Sequence, residues 1–577
     1  MAALTEAQDR SSNWRLDAAI AILLLLLAFV IRIDRVGFNS LSEDETAKWL
    51  AVQEYRHGHF AGVNSEHPMI LKVMAWASLI AGDRWNEFAS SHGWPTVSPE
   101  CWLRLPNVFL GAATALILYL LCRRLMGVLG SFVASFFWAV APLAVALNRL
   151  VKEETPVTFF GLAACYLYCR AKQADTESRT RRWYDLSGIG FGLAFASQYA
   201  IQIFALNGLA WYLAGRTGLD RKPIGSRYTR FLLVIVLTFV LVNPVVLSPN
   251  NLSAITQWLH HDGVRHTGYD FAGKLYLNFP SLIFSGMPWY FYLWLLFVKL
   301  PIPILVTVVL GSVLLLRDRR TLASCFFVAL GLVQLTALSV CGAKWIRYSL
   351  LFLPFLFLAG GYAVQQTCKW LANRRVSMAV VAMAAGVVFV WPLLELHAWA
   401  PFYPFYLNSI GGGATHIARY FGPDETSEFD TREVVQQVCR MAPASVRVAT
   451  ARPMSVTYYL KAFGRPDIQV VPLYDPSYVP RERDLVILEP SRRFLETERF
   501  FKLLGKSRMS HHEIQVGPVV ASTIYLFQQF PTTEAVENAV LIRPRKPQTL
   551  LQADAPNSNW ATSLGTGLWQ TLLRRQP

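Results

Sequence analysis

Long apolar runs recur along the first 394 residues and alternate with short polar segments. Runs such as Leu16 to Val30 and Phe231 to Val246 approach the length that a helix needs to cross a bilayer. The fifth and sixth predicted spans are short and are open to being one bent segment. The pattern predicts about eleven spans, near residues 16–34, 103–121, 130–148, 156–170, 186–200, 201–215, 230–248, 297–316, 322–340, 348–367 and 376–394.

Basic residues predict how these spans are oriented. They cluster in loops on one side of the arrangement, at Arg10 and Arg15, Arg123 and Arg124, Arg170 to Arg182, Arg216 to Arg230, Arg317 to Arg320 and Lys369 to Arg375. Short loops rich in Lys and Arg stay in the cytoplasm. With about eleven spans, the N-terminus is therefore expected inside and everything after Trp391 outside.

Two predicted outer loops are long. Loop 37–102 carries the acidic run Ser42-Glu43-Asp44-Glu45-Thr46, and loop 249–296 carries a cluster of basic residues followed by an aromatic string from Pro288 to Tyr292. Aromatic strings of this kind settle at lipid headgroups, and such loops commonly fold into amphipathic helices on the membrane surface.

The pattern changes to that of a soluble α/β segment beyond residue 395. Short β-rich runs predict strands at 446–449, 468–471 and 485–488, helical spacing covers 494–504, and a hairpin is expected from 516 to 527 around Gly517-Pro518. We therefore expect a mostly α, polytopic membrane domain (1–394), a small extracytoplasmic α/β domain (395–530) and a flexible polar tail (531–577).

Composition agrees with a membrane protein and limits the other classes. With 53% hydrophobic and 16% charged residues, the chain is not an ordinary soluble protein. Its net charge of +16 lies mainly in the short loops, so it indicates orientation and not nucleic-acid binding. Eight scattered cysteines form no disulfide framework. Cys165 and Cys169 share a helix face, where small buried side chains are favoured over a metal pair.

The acidic run beyond the first span is the strongest candidate for chemistry. Carboxylates at the mouth of a membrane helix are unfavourable, so they indicate a site. Asp44, with Glu45 adjoining, is the candidate, and Glu43 leaves the register open by one residue. The alternative is an interfacial acidic run that caps a helix starting near Thr46.

An Asp-Glu pair beyond the first span, followed about twenty residues later by Glu66-His67-Pro68, resembles the GT-C superfamily of membrane glycosyltransferases. The likeness is to the protein O-mannosyltransferase and lipid A aminoarabinose transferase branch. It implies an inverting glycosyltransferase that moves a sugar from a polyprenyl-phosphate donor to an acceptor on the extracytoplasmic face. It also implies Asp44 as the base. No nucleotide-binding motif competes with this interpretation.

The resemblance implies roles for further residues. Glu154 matches an acid, usually Asp, before the fourth span, with Glu153 as the fallback and helix-dipole stabilisation as the alternative. His67 would contact the lipid phosphate. Lys344 and Arg347, which open the tenth span, would do the same, unless they are snorkelling anchors.

In the second outer loop, the resemblance pairs His260 with Glu66 at a divalent metal ion and Arg265 with His67 at the phosphate. The alternative is a solvated loop whose basic groups attract anionic lipid. The expected partners are the lipid-linked donor, membrane lipids and an unknown acceptor, in a bacterial inner or cell membrane. A transporter or lipid flippase and a non-catalytic scaffold of the same fold stay as rivals. The sugar and the acceptor are left open.

Overall fold

The computed structural model describes residues 14–199, 227–259, 267–279, 282–318, 321–374, 376–422, 428–443, 446–505, 509–517 and 519–527. Up to residue 398 this part is helical apart from short turns and one two-stranded ribbon. The helices are α1 (Trp14–Ile33), α2 (Glu43–Arg56), α3 (Met69–Ser91), α4 (Pro99–Cys122), α5 (Val128–Val140), α6 (Pro142–Asn148), α7 (Glu154–Lys172), α8 (Glu177–Phe195), α9 (Arg227–Val242), α10 (Pro249–Leu259), α11 (Phe291–Lys299), α12 (Ile302–Arg317), α13 (Leu322–Phe326), α14 (Val333–Val340), α15 (Leu353–Asn373) and α16 (Met378–Ala398).

Within the described residues, four helices are long and apolar enough to cross a membrane, namely α1, α4, α16 and the continuous stretch Leu322–Val340. The pair α5 and α6 adds a fifth when it is taken as one bent span, and α9 and α12 are shorter apolar helices. The predicted sixth span, 201–215, lies outside the described residues.

Two predicted spans are interrupted at proline. The span expected at 130–148 bends by 59° between α5 and α6. The span expected at 297–316 breaks between α11 and α12. In both, the residue before proline (Ala141 or Leu300) adopts an extended conformation, because the pyrrolidine ring disfavours helical geometry there. The proline-driven bend turns α6 toward the segment that carries the candidate site.

The segment 37–102, predicted as an outer loop, contains the helices α2 and α3. The loop 249–296 contains α10 and a ribbon of β1 (Tyr269–Phe271) and β2 (Lys274–Tyr276). The fifth predicted span begins earlier than expected, since α8 starts at Glu177 behind an N-cap made by the Thr176 hydroxyl.

After α16 the chain forms a five-stranded sheet in the order β4-β3-β5-β7-β6. The strands are β3 (Arg447–Thr450), β4 (Gln469–Pro472), β5 (Leu485–Leu488), β6 (His511–Val516) and β7 (Val519–Leu526), and the helices around them are α17 (Ile417–Tyr420), α18 (Thr431–Met441), α19 (Pro453–Ala462) and α20 (Glu498–Leu504). β3, β4 and β5 are parallel, and β7 runs antiparallel to β5.

The strands predicted at 446–449, 468–471 and 485–488 are present with small shifts in their ends. The predicted hairpin extends back to His511, and the predicted helix 494–504 is helical only from Glu498. Alternate residues of β5 enter two apolar clusters, with Leu485 and Ile487 in one and Val486 and Leu488 in the other. Burial on both faces explains why this strand reads as a continuous apolar run.

Candidate active site

The N-terminus of α2 is fixed by a capping box. The Ser42 hydroxyl accepts a hydrogen bond from the Glu45 backbone N–H, and the Glu45 side chain accepts one from the Ser42 backbone N–H at 3.0 Å. This reciprocal arrangement satisfies two backbone donors at the start of a helix. The local sequence Ser-Glu-Asp-Glu therefore sets both where α2 begins and which way its acidic side chains point.

Glu45 is fully buried and forms a two-pronged ion pair with Arg104 of α4. Arg104 donates from Nε at 2.8 Å and from Nη2 at 2.7 Å. The Val151 backbone N–H donates to the same carboxylate at 3.0 Å. Arg104 also donates to the carbonyls of Val36, Asn39 and Ser40. The predicted catalytic contact of Glu45 with substrate does not fit this geometry, because its oxygens are enclosed and occupied.

Glu43 points the other way, into the segment that follows the last apolar helix. Its carboxylate accepts hydrogen bonds from the backbone N–H groups of Met454 and Ser455, both at 2.9 Å, at the N-terminus of α19. Burial raises the pKa of Glu43 to about 7, against the opposing effect of Arg492. Glu43 therefore joins α2 to α19 and does not face an open site.

Asp44 is the partly open carboxylate of the acidic run. Its side chain is 41% exposed and forms an ion pair with Lys152 through Oδ2. Its Oδ1 lies 3.8 Å from Nη2 of Arg492. Glu43 and Glu45 are buried in structural contacts on either side, so Asp44 is the acid of this run that stays open to a substrate.

Lys152 reaches Asp44 from the turn between α6 and α7. Asn107 of α4 holds this turn by donating to the carbonyls of Leu150 at 2.5 Å and Lys152 at 2.8 Å. The Lys152 side chain is nearly enclosed, and burial, reinforced by the charge of Arg347, lowers its pKa to about 7. A buried lysine keeps its positive charge more readily when an anionic group lies beside it.

Glu153, the fallback for the acid before the fourth span, lies beside a lysine and a histidine. Lys48 of α2 pairs with its Oε1 at 3.0 Å, and Nδ1 of His67 lies 3.7 Å from the same oxygen. Burial would raise the pKa of Glu153, but Lys48, His67 and Lys152 outweigh it and hold the pKa well below its usual range. His67 is therefore tied to this carboxylate while its side chain stays 29% exposed.

Glu154 begins α7 and is buried against Arg347. Nε of Arg347 donates to Glu154 Oε1 at 3.1 Å, and no hydrogen bond reaches Oε2 within the described residues. The Arg347 guanidinium lies over the rings of Trp345 and Tyr348, 5.0 and 5.5 Å from their centroids. The two aromatic rings and the Glu154 carboxylate thus fix the orientation of Arg347, because its planar guanidinium can stack on rings and pair with a carboxylate at the same time.

The structure does not place Lys344 in this cluster. Lys344 is fully buried, and its Nζ donates to the backbone carbonyls of Met287 at 2.9 Å and of Cys341. It ties the end of the second outer loop to the start of the Ile346–Leu351 turn. This geometry does not support the predicted phosphate contact of Lys344, because its buried ammonium group donates to two backbone carbonyls. The contact stays a prediction.

The residues proposed for a metal ion are incompletely described. Glu66 accepts a hydrogen bond from the Asn64 side chain at 3.0 Å, and its charge acts on the nearby Lys72. His260 and Arg265 lie outside the described residues. No group of three or more His, Cys, Asp or Glu side chains in the described part of the chain is arranged to hold a metal. The metal stays a prediction, and no chemical step below passes through one.

An apolar pocket begins one turn beyond Glu154. Its empty volume, open mouth included, is about 540 Å³, and it lies between α7, α8, the π-helical turn Phe327–Leu332 and α15. Two amides face this otherwise apolar space. The lining residues are Val157, Thr158, Gly161, Leu162, Cys165, Phe191, Ala194, Phe195, Gln198, Leu330, Gln334, Leu351 and Phe355.

Sequence analysis missed three residues of the cluster. Lys48, Lys152 and Arg492 each contact an acidic side chain of the site. Lys152 directly precedes the Glu153-Glu154 pair noted from the sequence. Lys48 lies one helical turn after Asp44, so helical spacing could have suggested it. No local signal identifies Arg492, which lies far along the chain.

Comparisons with known proteins show which proteins this chain resembles. Residues 97–247 match the family model described as dolichyl-phosphate-mannose-protein mannosyltransferase. The candidate mannosyltransferase YkcB of Bacillus subtilis is 24% identical over 194 residues, which cover 32% of this chain and only 25% of that protein.

Solved structures show the fold. The apo form of ArnT from Cupriavidus metallidurans aligns with a TM-score of 0.50 and 11% identity, over 88% of this chain and 97% of that one. The same protein bound to undecaprenyl phosphate aligns with a TM-score of 0.48 and 11% identity, over 89% of this chain and 98% of that one. The long apolar helices and the family match together indicate that this chain is an integral membrane protein.

Proposed function

We propose that this chain, which belongs to the protein O-mannosyltransferase-like branch of the GT-C membrane glycosyltransferases, transfers a sugar from a polyprenyl-phosphate donor to an acceptor on the extracytoplasmic face. One observation carries the proposal. A partly exposed Asp44 lies among cations that can hold a phosphate, and its two acidic neighbours are used in structural contacts.

The proposed reaction is a displacement at the anomeric carbon of the donor. Asp44 accepts the proton of an acceptor hydroxyl while that oxygen forms its bond to the anomeric carbon, and the bond from this carbon to the phosphate oxygen breaks. Attack opposite to the leaving group inverts the configuration. A positioned carboxylate base contributes a rate factor on the order of 10²–10⁴.

The departing lipid phosphate gains negative charge as the bond breaks, so cations that stay in place favour the transition state. Lys152 and Arg347 are the proposed holders. Lys152 is buried beside Asp44, and Arg347 is aimed by Glu154 and two aromatic rings. His67, partly exposed beside Glu153, is a further proposed phosphate contact. Glu154 acts through Arg347 and is a positioning residue.

The apolar pocket beyond Glu154 suits the first isoprene units of such a donor. Its lining is mainly apolar, and it begins one turn after Glu154, the residue that pairs with Arg347. A phosphate near Lys152 and a hydrocarbon chain in this pocket would place the sugar at Asp44. The family model, described by a dolichyl-phosphate-linked mannose donor, supports the same class of donor for this chain.

Topology and location belong to the proposal. The apolar runs predict about eleven spans, and the basic loops predict a cytoplasmic N-terminus and an extracytoplasmic segment after Trp391. The proposed location is a bacterial inner or cell membrane. A reporter that is active only in the cytoplasm, fused after Gln529, is expected to be silent. A strong signal from it would invert the proposed orientation and would place Asp44 in the cytoplasm, because Asp44 lies 3.8 Å from Arg492 of the same segment.

The rival functions make different demands. A transporter or flippase places its charges near the bilayer midplane, commonly at broken helices in repeated halves. Here Asp44, Lys152 and Arg347 gather at helix starts next to a five-stranded sheet segment. A non-catalytic scaffold would keep this geometry but tolerate loss of Asp44.

The test is sugar transfer by the full-length protein in lipid nanodiscs. The substrates are a set of polyprenyl-phosphate sugars and extracted envelope acceptors, and mass spectrometry detects the added sugar. Cell envelopes with and without the chain are compared in parallel, and one missing sugar increment is expected. Failure to transfer any sugar, together with unchanged envelopes, would overturn the proposed function. Repeating the assay after thorough chelation tests the predicted metal, which would have to be abandoned if activity is retained.

A further inference from the structure

The sheet segment sends one arginine into the Asp44 site. Arg492 ends the short 3-10 turn Pro490–Arg492, which directly follows β5, and its side chain is only 13% exposed. Its Nη2 lies 3.8 Å from Asp44 Oδ1, which is an ion-pair distance too long for a hydrogen bond. Within the described part of the chain, neither terminal nitrogen of Arg492 makes a hydrogen bond to protein.

Glu428 holds the other edge of this guanidinium. Its Oε1 accepts a hydrogen bond from Arg492 Nε, and its Oε2 accepts one from the backbone N–H of Glu43 at 2.7 Å. One buried carboxylate therefore contacts both Arg492 and the first residue of the helix that carries Asp44. The Glu428 side chain therefore fixes the distance between Arg492 and the start of α2.

The backbone at Glu428 supports a specific role. Its φ is +46°, in the left-handed region that residues with a side chain seldom adopt. Such strain persists when the surroundings fix it, and it concentrates at functional sites. Ser40 adds to the surrounding support, because its hydroxyl donates to the Phe429 carbonyl at 2.8 Å and accepts from the Arg432 N–H at 2.9 Å.

We propose that Arg492 is a ligand of the donor's phosphate and that Glu428 is the residue that positions it. The inference rests on the proposed function and adds a binding residue from the segment after the last apolar helix. Arg492 has its Nε edge satisfied by Glu428 and presents its terminal nitrogens toward Asp44. A phosphate offers several acceptor oxygens to that fork, which a carboxylate 3.8 Å away does not engage by hydrogen bonding.

The same geometry gives Arg492 a second effect on the reaction. Without donor, Lys152 and Arg492 face the two oxygens of Asp44. An arriving phosphate would draw both cations to itself and leave the Asp44 oxygens free to accept the proton of the acceptor. Donor binding would thus precede and permit activation of the acceptor.

The test measures binding separately from turnover. The full-length protein in nanodiscs is titrated with undecaprenyl phosphate, and phosphatidic acid is titrated in parallel to separate a polyprenyl site from general attraction to lipid phosphate. Arg492→Gln is expected to weaken undecaprenyl phosphate binding at least tenfold and Arg492→Lys several-fold. Arg492→Gln should also lower the unfolding temperature, because the buried Glu428 loses its charged partner, whereas Arg492→Lys keeps the charge and should unfold near the temperature of the parent. Arg493→Gln is the matched control, since the neighbouring Arg493 pairs with Asp270 and Glu498 and not with Asp44. It should bind within twofold of the parent.

Glu428 is tested by a double-mutant cycle. Glu428→Gln keeps an acceptor for the Glu43 N–H but removes the charge that holds Arg492, so weaker binding is expected. Adding it to Arg492→Gln should cause no further loss, since Glu428 acts through Arg492. Additive losses would overturn the positioning role.

The two proposals fail in distinguishable ways. A parent protein that does not bind undecaprenyl phosphate would overturn both. If Arg492→Gln binds undecaprenyl phosphate as tightly as the parent protein does, this inference alone is overturned. Equal weakening with undecaprenyl phosphate and phosphatidic acid would also overturn it, because Arg492 would then attract any lipid phosphate.

Discussion

Replacing Asp44 by Asn separates chemistry from folding. Asp44 is 41% exposed, so each of its ion pairs, with Lys152 and Arg492, contributes at most about 1 kcal/mol to stability. Loss of a general base removes a rate factor on the order of 10²–10⁴, equal to about 3–5 kcal/mol in the barrier. The effect on turnover should therefore far exceed the effect on folding. Asn also keeps the shape of the side chain at the second position of α2.

The direction in which lipid-phosphate affinity changes is a second test of Asp44→Asn. Removing the Asp44 charge leaves Lys152 and Arg492 without the carboxylate between them, so a lipid phosphate should bind as tightly as before or more tightly. A general disruption of the site would weaken binding instead. Asp44→Asn is thus expected to combine loss of turnover with retained affinity.

The assay follows initial rates of sugar transfer, undecaprenyl phosphate affinity and unfolding temperature for the same preparations. Asp34→Asn is the control, because Asp34 is an exposed acid shortly before α2 that pairs with its neighbour Arg35. Turnover of Asp44→Asn within a few-fold of the parent would refute Asp44 as the base. A fall of many degrees in unfolding temperature would instead show a structural role.

Three further outcomes follow from the geometry. Glu45→Gln should destabilise the protein by about 3–5 kcal/mol, seen as a lower unfolding temperature, because the buried Arg104 charge loses its partner; an unchanged temperature would contradict this. Burial lowers the Lys152 pKa to about 7, so its positive charge and the lipid-phosphate affinity should fall as pH rises through that value, whereas Lys152→Arg should stay flat in the same titration. Lys344→Met should leave lipid-phosphate affinity within about twofold of the parent, whereas Arg347→Ala should weaken it by about tenfold. The reason is that Arg347 faces the site and Lys344 does not. Equal losses of affinity in the two variants would show that Lys344 also belongs to the site.

The long apolar runs and the short strands were predictable because their signals are local. A run of about twenty apolar residues predicts a span wherever it lies, and β5 reads as a buried strand from Leu485 to Leu488 alone. The proline breaks at Ala141 and Leu300 are also local signals, although hydropathy averaged over a span conceals them.

Local sequence also indicated a site beyond the first span, since carboxylates are unfavourable beside a bilayer and Ser42 with Glu45 forms a recognisable capping box. The division of labour within Glu43-Asp44-Glu45 was decided by tertiary structure. Arg104 and the N-terminus of α19 bind the two flanking acids and leave Asp44 open. These partners come from distant parts of the chain, and helical rotation at the start of α2 sends each acid in a different direction. Composition and spacing do not show which partner each side chain contacts. The assignment of Asp44, the burial of Lys344 and the position of Arg492 beside Asp44 therefore depend on how the distant segments pack.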